Sequence, residues 1–136
     1  MTMRIEQLPE MGRHIHSLVE LNTVMDAVML FTHHGVFAAP VVDASGTLLG
    51  VFSEGDVVRR VLAVGRDPAT TTVGAIIYRK AETLTAKSSV HDALGVMMRG
   101  KFRHLPIVDD QGSLVAFVSM KDLLEVVWRH PDAAAV

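Results

Sequence analysis

The chain has 136 residues and a formal net charge of −2, so it is long enough to bury its own core, and no long basic run favours nonspecific nucleic-acid binding. The absence of cysteine excludes disulfides, thiolate metal sites and cysteine nucleophiles. Apolar residues make up 49% of the chain, but stretches such as 36–42 and 114–118 are too short to span a membrane, and residues 1–10 lack a signal-peptide core. We therefore expect a cytoplasmic protein that binds neither membranes nor nucleic acid.

The first half of the chain predicts a helix, a hairpin and a second helix. Thr23 is a suitable N-cap, and Gly35 lies where a left-handed residue would end the first helix. Val24, Ala27 and Phe31 recur at helical spacing between them. In order, the predicted elements are a weak strand at 16–19, the helix after Thr23, hairpin strands at 40–42 and 48–52 around a turn at 43–46, and a helix at 54–64.

The second half predicts the same series of elements. Ser89 is the N-cap of its first helix, and Gly100 lies near the end of that helix, where a left-handed residue is useful. His130 ends the last helix because the residue before a proline disfavours helical geometry. In order, the elements are a strand at 82–85, the helix after Ser89, hairpin strands at 106–108 and 114–118 around a turn at 109–112, and a helix at 120–129.

A shift of 66 residues aligns the two halves without a gap. Residues 40–43 then lie over 106–109, and the identities are concentrated at proline, aspartate and glycine, which mark turns and caps. Two copies of one β/α repeat are therefore predicted. The boundaries are 1–65 for the first repeat with an atypical N-terminal segment, 66–72 for a linker, 73–130 for the second repeat and 131–136 for a tail.

This tandem arrangement resembles a pair of cystathionine-β-synthase-type (CBS) domains, also called a Bateman module. The resemblance is carried by 35–43 and 50–56 in the first copy and by 101–109 and 116–122 in the second. It implies an α+β fold in which two strand-helix-hairpin-helix repeats are related by a pseudo-twofold axis and form two related clefts. It also implies that an adenine nucleotide (AMP, ADP or ATP) or an S-adenosyl compound binds there, that occupancy is signalled to a partner, and that the module is not catalytic.

Ser53 with Asp56, and Ser119 with Asp122, form the motif that matters most. Read as a capping box, the hydroxyl and the carboxylate three residues later satisfy backbone amides at a helix start. Read as a nucleotide site, the helix N-terminus and the hydroxyl receive a phosphate. The family resemblance implies that the aspartate accepts from both ribose hydroxyls. Because a cap more often uses Glu than Asp at this position, we favour the ligand role, although the two roles can coexist.

The two copies differ in charge beside this motif. Arg103, His104 and Lys121 surround the second one, and His104 can add a positive charge below its ordinary pKa of about 6.5. We therefore expect phosphate groups to bind at the second copy, although surface charge at a strand start is the alternative. The first copy has no cation at the matching places and should take adenosine, a cationic S-adenosyl ligand or nothing. Those places are held by Phe37, Ala38 and Glu54.

Two further features concern metals and assembly. His14 and His16 could share a strand face, but no third ligand stands at motif spacing, so neither a metal site nor a required cofactor is expected.

The second helix of each repeat carries more apolar residues than one small core hides, which predicts a homodimer. These residues are Val57, Val58, Val61, Leu62, Leu123, Leu124, Val127 and Trp128.

The sequence leaves two classes of function open. The first is a ligand-sensing regulatory module that binds an adenine nucleotide, with an S-adenosyl ligand as a variant, and signals to an unidentified regulated protein. The second is a protein–protein interaction or dimerisation module with vestigial clefts. An enzyme is not expected, because neither Ser53 nor Ser119 lies in a Gly-x-Ser-x-Gly elbow and no Walker or dinucleotide fingerprint occurs.

Overall fold

The structure is a computed structural model that describes residues 2–79 and 81–136. It divides into two compact units. The first unit is His16–Ala81, and the second unit joins Met1–Ile15 to Glu82–Val136. Each unit contains one helix–hairpin–helix block, which confirms the predicted α+β class with two repeats. The N-terminal segment, assigned above to the first repeat, packs with the second, while the exact repeat boundaries stay a prediction.

The first unit is built around one antiparallel hairpin. In that hairpin, Ala38 pairs with Ser53 and Val41 with Gly50. The predicted strand at 16–19 is present as an isolated parallel bridge between Leu18 and Val41. The elements are α1 (Val24–His34), β1 (Ala38–Val42), β2 (Leu48–Ser53) and α2 (Glu54–Asp56), followed by a π-helix at Val57–Leu62 and a 3-10 turn at Val73–Ala75. The helix predicted at 54–64 is therefore only partly α-helical.

The second unit has a hairpin of matching register. His104 pairs with Ser119, and Ile107 with Ala116. The predicted strand at 82–85 is again a single parallel bridge, here between Leu84 and Ile107. The elements are α3 (Val90–Gly100), β3 (His104–Val108), β4 (Leu114–Ser119) and α4 (Met120–Arg129), with 3-10 turns at Ile5–Gln7, Pro9–Gly12 and Pro131–Ala134. The helix predicted at 120–129 matches α4.

All four α-helices of the described chain begin with the same reciprocal cap. A Ser or Thr side chain accepts from the amide three residues later, and the Asp there accepts from the cap residue's own amide. Such a cap is worth about 1 kcal/mol to a helix. The predicted caps Thr23 and Ser89 are therefore confirmed. The four pairs are Thr23–Asp26, Ser53–Asp56, Ser89–Asp92 and Ser119–Asp122.

The ends of α1 and α3 differ in residue type. Gly35 follows α1 with a φ of 63°, as predicted for a left-handed cap. After α3 the left-handed residue is Lys101, with a φ of 58°, so the prediction of Gly100 is wrong by one residue. Gly100 instead stays inside the helix, where a Cβ would lie 1.9 Å from Cε1 of Phe102. The aromatic ring thus occupies the space that a side chain would need.

The core of each unit includes residues from a segment that lies elsewhere in the chain. The segment before the second helix–hairpin–helix block contributes to the first core, and the segment before the first block contributes to the second core. The Val24 amide donates to the Thr71 carbonyl at 2.9 Å, and the Val90 amide donates to the Met3 carbonyl at 2.8 Å. Ile5 is fully buried in the second core. In the first core the fully buried residues include Val73. The described residues 2–15 and 66–79 therefore have equivalent structural roles. No helix among the described residues is long and apolar enough to cross a membrane.

Candidate functional site

The start of α4 brings together several of the predicted site residues. The Ser119 amide donates to Asp122 Oδ2 at 2.9 Å, and the Asp122 amide donates to Ser119 Oγ at 3.0 Å. Both are half-buried, and Asp122 keeps 15% of its side-chain surface exposed. These bonds show that the motif is a capping box. Because the cap uses only Oδ2, the second carboxylate oxygen is held by other contacts.

Those contacts come from Arg13, which the sequence analysis missed. Its Nη1 donates to Asp122 Oδ1 at 3.3 Å and to Oδ2 at 3.4 Å. Its Nη2 donates to Glu10 Oε1, also at 3.4 Å. Glu10 is only 7% exposed, and its Oε2 is buried without a hydrogen-bond partner. Arg13 and Asp122 are 109 residues apart, so no spacing pattern could have indicated the pair.

His104, the first residue of β3, lies opposite Ser119 in the hairpin. Its ring stacks on Phe117 with centroids 5.4 Å apart. Burial lowers the pKa of His104 below its ordinary value of 6.5; the negative charge of Asp122 raises it in part, and Arg103 lowers it further. Desolvation disfavours the charged ring, so His104 should gain its positive charge only at a lower pH than the sequence predicted.

Arg103 and Lys121 are exposed residues that flank this cluster. The Arg103 carbonyl accepts from the Met120 amide at 2.7 Å, and Ser119 Oγ already accepts from the Asp122 amide. Two of the first three amides of α4 are thus used within the fold. The expected row of unused N–H groups is therefore reduced, and an anion at this helix start depends more on the Lys121 amide and on the two cationic side chains.

The first unit has a different arrangement at the matching place. Ser53 Oγ donates to Asp56 Oδ2 at 3.0 Å, in addition to the cap bonds. Ala38 is buried, so its methyl group is not at the surface, whereas Phe37 is 60% exposed. The Arg59 guanidinium lies over Gly55, with Nη2 2.7 Å from where a Cβ would be. The expectation of no cation at this helix start is therefore wrong.

The four caps also weaken one argument from the sequence. Aspartate at the third helical position was taken to favour a ligand role, because capping boxes more often use glutamate. Here Asp26 and Asp92 form the same box at α1 and α3, outside the motif singled out for ligands. Aspartate therefore occupies this position in all four helix caps of the described residues, and it does not mark Asp56 or Asp122 as ligand-binding residues.

Histidines of the first unit lie close to one another. The His16 and His34 rings stack with centroids 3.7 Å apart, and the His33 ring meets His34 edge-on at 4.7 Å. Nevertheless, the described residues contain no group of three or more His, Cys, Asp or Glu side chains that could hold a metal ion.

Comparison with known proteins gives matches along most of the chain. A family model described as "CBS domain" matches residues 5–63 and 73–129. The CBS domain-containing protein CBSCBSPB3 of Arabidopsis thaliana is 34% identical over 119 residues, which are 87% of this chain and 21% of that protein. Arabinose 5-phosphate isomerase GutQ of Shigella flexneri is 35% identical over 103 residues, or 76% of this chain and 32% of that protein. The chain spans only 15% to 22% of the length of three of its curated relatives.

Solved structures share the fold over nearly the whole chain. A putative signal-transduction protein with CBS domains from Burkholderia ambifaria has a TM-score of 0.83 at 28% identity, covering 93% of this chain and 91% of that one. CBSX2, solved with AMP, has a TM-score of 0.80 at 21% identity and coverages of 93% and 97%. The CBS domain pair of MJ0100, solved with methylthioadenosine and S-adenosylmethionine, gives 0.82 at 19% identity and coverages of 95% and 98%. This chain belongs to the CBS-domain family and carries two CBS domains in tandem.

Proposed function

We propose that this CBS pair is a regulatory module that binds an adenine nucleotide through the second unit, and that Asp122 is the residue on which binding depends. The observation that carries the proposal is that the helix cap engages Asp122 Oδ2, while Oδ1 lies outside the cap and accepts from the exposed side chain of Arg13. A half-buried carboxylate with an oxygen outside the cap is suited to accept hydrogen bonds from a ribose.

The groups around Asp122 fit the rest of a nucleotide. The Lys121 and Arg103 side chains are exposed and cationic, and the Ser119 hydroxyl can donate to a phosphate oxygen. The His104 ring stacks on Phe117 and offers a flat surface and a ring nitrogen, and burial lowers its pKa and so disfavours its charged form. The AMP complex of CBSX2 supports this ligand class, since that protein has the same fold.

An S-adenosyl ligand is a second candidate. Glu10 and Asp122 supply two carboxylates to one guanidinium, that of Arg13, and these carboxylates attract a cationic sulfonium. The exposed Arg103 and Lys121 side chains beside Asp122 instead favour a phosphate. The S-adenosylmethionine complex of the MJ0100 domain pair supports the alternative at the level of fold. The two candidates predict opposite preferences for ligand charge.

Titration calorimetry on matched variants tests the proposal. Asp122→Ala should weaken binding of AMP or ATP at least tenfold, because bonds to a charged acceptor are worth about 1.5–3 kcal/mol each. Asp92→Ala is the control, since Asp92 makes the same cap at α3 and should leave affinity unchanged. Equal losses in both variants would show that Asp122 acts only through helix stability. No binding of any adenosine compound would overturn the proposal.

The proposal extends to assembly, partner and location. Exposed apolar residues on the second helices, including Leu124 and Trp128, suit a homodimer or the surface of a regulated protein. GutQ is named as an isomerase, but this chain matches 32% of it, so we assign no catalytic role here. A nucleotide sensor of this kind would act in the cytoplasm, where its ligand is produced and consumed.

A further inference from the structure

We propose that Arg13 is a latch on the candidate site: its guanidinium occupies the Asp122 carboxylate, and a bound ribose must displace it. The inference rests on the proposed function and adds its regulation. Arg13 belongs to the second unit with Asp122, although it precedes the first repeat's helix–hairpin–helix block. It follows the 3-10 turn at Pro9–Gly12, where its amide donates to the Glu10 carbonyl at 3.1 Å.

The hydrogen-bonding capacity of Asp122 carries the first step. A carboxylate offers about four acceptor sites. The Ser119 amide takes one on Oδ2, and Arg13 Nη1 takes one on each oxygen, at 3.3 and 3.4 Å. About one site is left, whereas two ribose hydroxyls need two. The ribose and the guanidinium therefore compete for the same carboxylate.

Glu10 explains why the guanidinium stays in place. The turn at Pro9–Gly12 packs against β4, and the Glu10 side chain is only 6% exposed. Its Oε1 bonds to Arg13, while its Oε2 is buried without a partner. A buried carboxylate is costly unless a cation compensates it. Glu10 therefore fixes Arg13 beside Asp122, and the ion pair links the site to the N-terminal turn.

The contacts of Arg13 are suited to exchange. Charge-assisted N–H···O bonds are about 2.7–2.9 Å long when strong, so the 3.3–3.4 Å separations here are weak. The Arg13 side chain is 56% exposed and can swing into solvent. The Arg13–Asp122 contacts are long although the carboxylate is only 15% exposed, so removing them should strengthen ribose binding by a modest factor, about two- to fivefold. Ligand binding should in turn loosen the turn that Arg13 secures.

Adenosine is the probe for the latch, because it carries a ribose and no phosphate that a positive charge would attract. Arg13→Gln should raise adenosine affinity two- to fivefold. Arg4→Gln is the control: Arg4 is in the same segment, its side chain is 59% exposed, and it pairs with Glu6. The double variant Glu10→Gln with Arg13→Gln removes the unpaired buried charge and should show the same gain if the single variant folds poorly. Unchanged or weaker adenosine binding in folded Arg13 variants would overturn the latch.

Asp122→Ala separates failure of the latch from failure of the proposed function. If this variant loses nucleotide binding but Arg13→Gln gains none, the function stands and the latch is wrong. If no adenosine compound binds to any variant, both are wrong. Hydrogen exchange gives an independent readout: adenosine should speed exchange of the Met11 and Arg13 amides in the unmodified protein. Slower exchange at these amides would also contradict the latch.

Discussion

Gly100 and Gly95 lie on the same helix, α3, yet alanine should affect them in opposite ways. At Gly100 a Cβ would lie 1.9 Å from Cε1 and 2.5 Å from Cδ1 of Phe102, too close for any real contact. Phe102 packs against the second core, so its ring can move only by giving up buried surface. Overpacking of this kind costs about 1–3 kcal/mol, which exceeds the helix-propensity gain of at most about 1 kcal/mol. Gly100→Ala should therefore lower the free energy of unfolding.

The control is the matched substitution one and a half turns earlier. At Gly95 the nearest atom to a Cβ is Nη1 of Arg99 at 3.0 Å, the end of a flexible side chain. Gly95→Ala should thus stabilise the protein by up to about 1 kcal/mol. Urea denaturation monitored by circular dichroism measures the free energy of unfolding of both variants. In a background that carries Phe102→Ala, Gly100→Ala should no longer incur the overpacking penalty. If Gly100→Ala stabilised the protein as Gly95→Ala does, the position assigned to the Phe102 ring would be refuted.

Four further predictions concern charge and assembly. By NMR, His104 should titrate below pH 6.5, and Asp122→Asn should lower its pKa further, because the Asp122 charge raises it. As pH falls, His104 takes up a proton more readily in the unfolded chain than in the folded protein, so the free energy of unfolding should decrease below about pH 6.5. This decrease should be smaller in His104→Phe, and an equal decrease in both proteins would contradict the prediction. Affinity should rise from adenosine to ATP, and Arg103→Ala should reduce the difference; no change in that ratio would remove Arg103 from the site. Light scattering should show a dimer that Trp128→Glu weakens, whereas a monomer at micromolar concentration would refute assembly.

Local signals in the sequence predicted most of the fold. Thr23 and Ser89 identify helix starts because capping uses residues three positions apart. Gly35 identifies a helix end for a similar local reason. The Gly100 prediction was wrong because glycine was preferred for a left-handed position, although the shift of 66 residues places Lys101, and not Gly100, opposite Gly35. The sequence predicted whole strands at 16–19 and 82–85, but each segment pairs through a single β-bridge. The length of so short a pairing cannot be read from an alternating sequence pattern.

The candidate site was predicted only as far as it is local. The Ser119–Asp122 motif is contiguous, so the sequence exposes it directly. Arg13 and Glu10 reach it through a long-range packing arrangement that no spacing rule describes. Arg59 was missed for another reason: a glycine at position 55 lets a guanidinium four residues later fold back over the helix start. From residue type alone, His104 was predicted to have the ordinary pKa of an exposed histidine. Its burial, which lowers the pKa, is visible only in the structure.

The exchange of segments between the halves of the chain has a consequence for protein engineering. A fragment that begins after residue 66 would contain a full helix–hairpin–helix block but would lack Ile5, which is fully buried in that block's core. A fragment that ends at residue 65 would likewise lack Val73. We therefore expect neither half to fold by itself. The smallest transplantable part of this protein is the whole pair, and a chimera joined between the repeats must take both exchanged segments from the same parent.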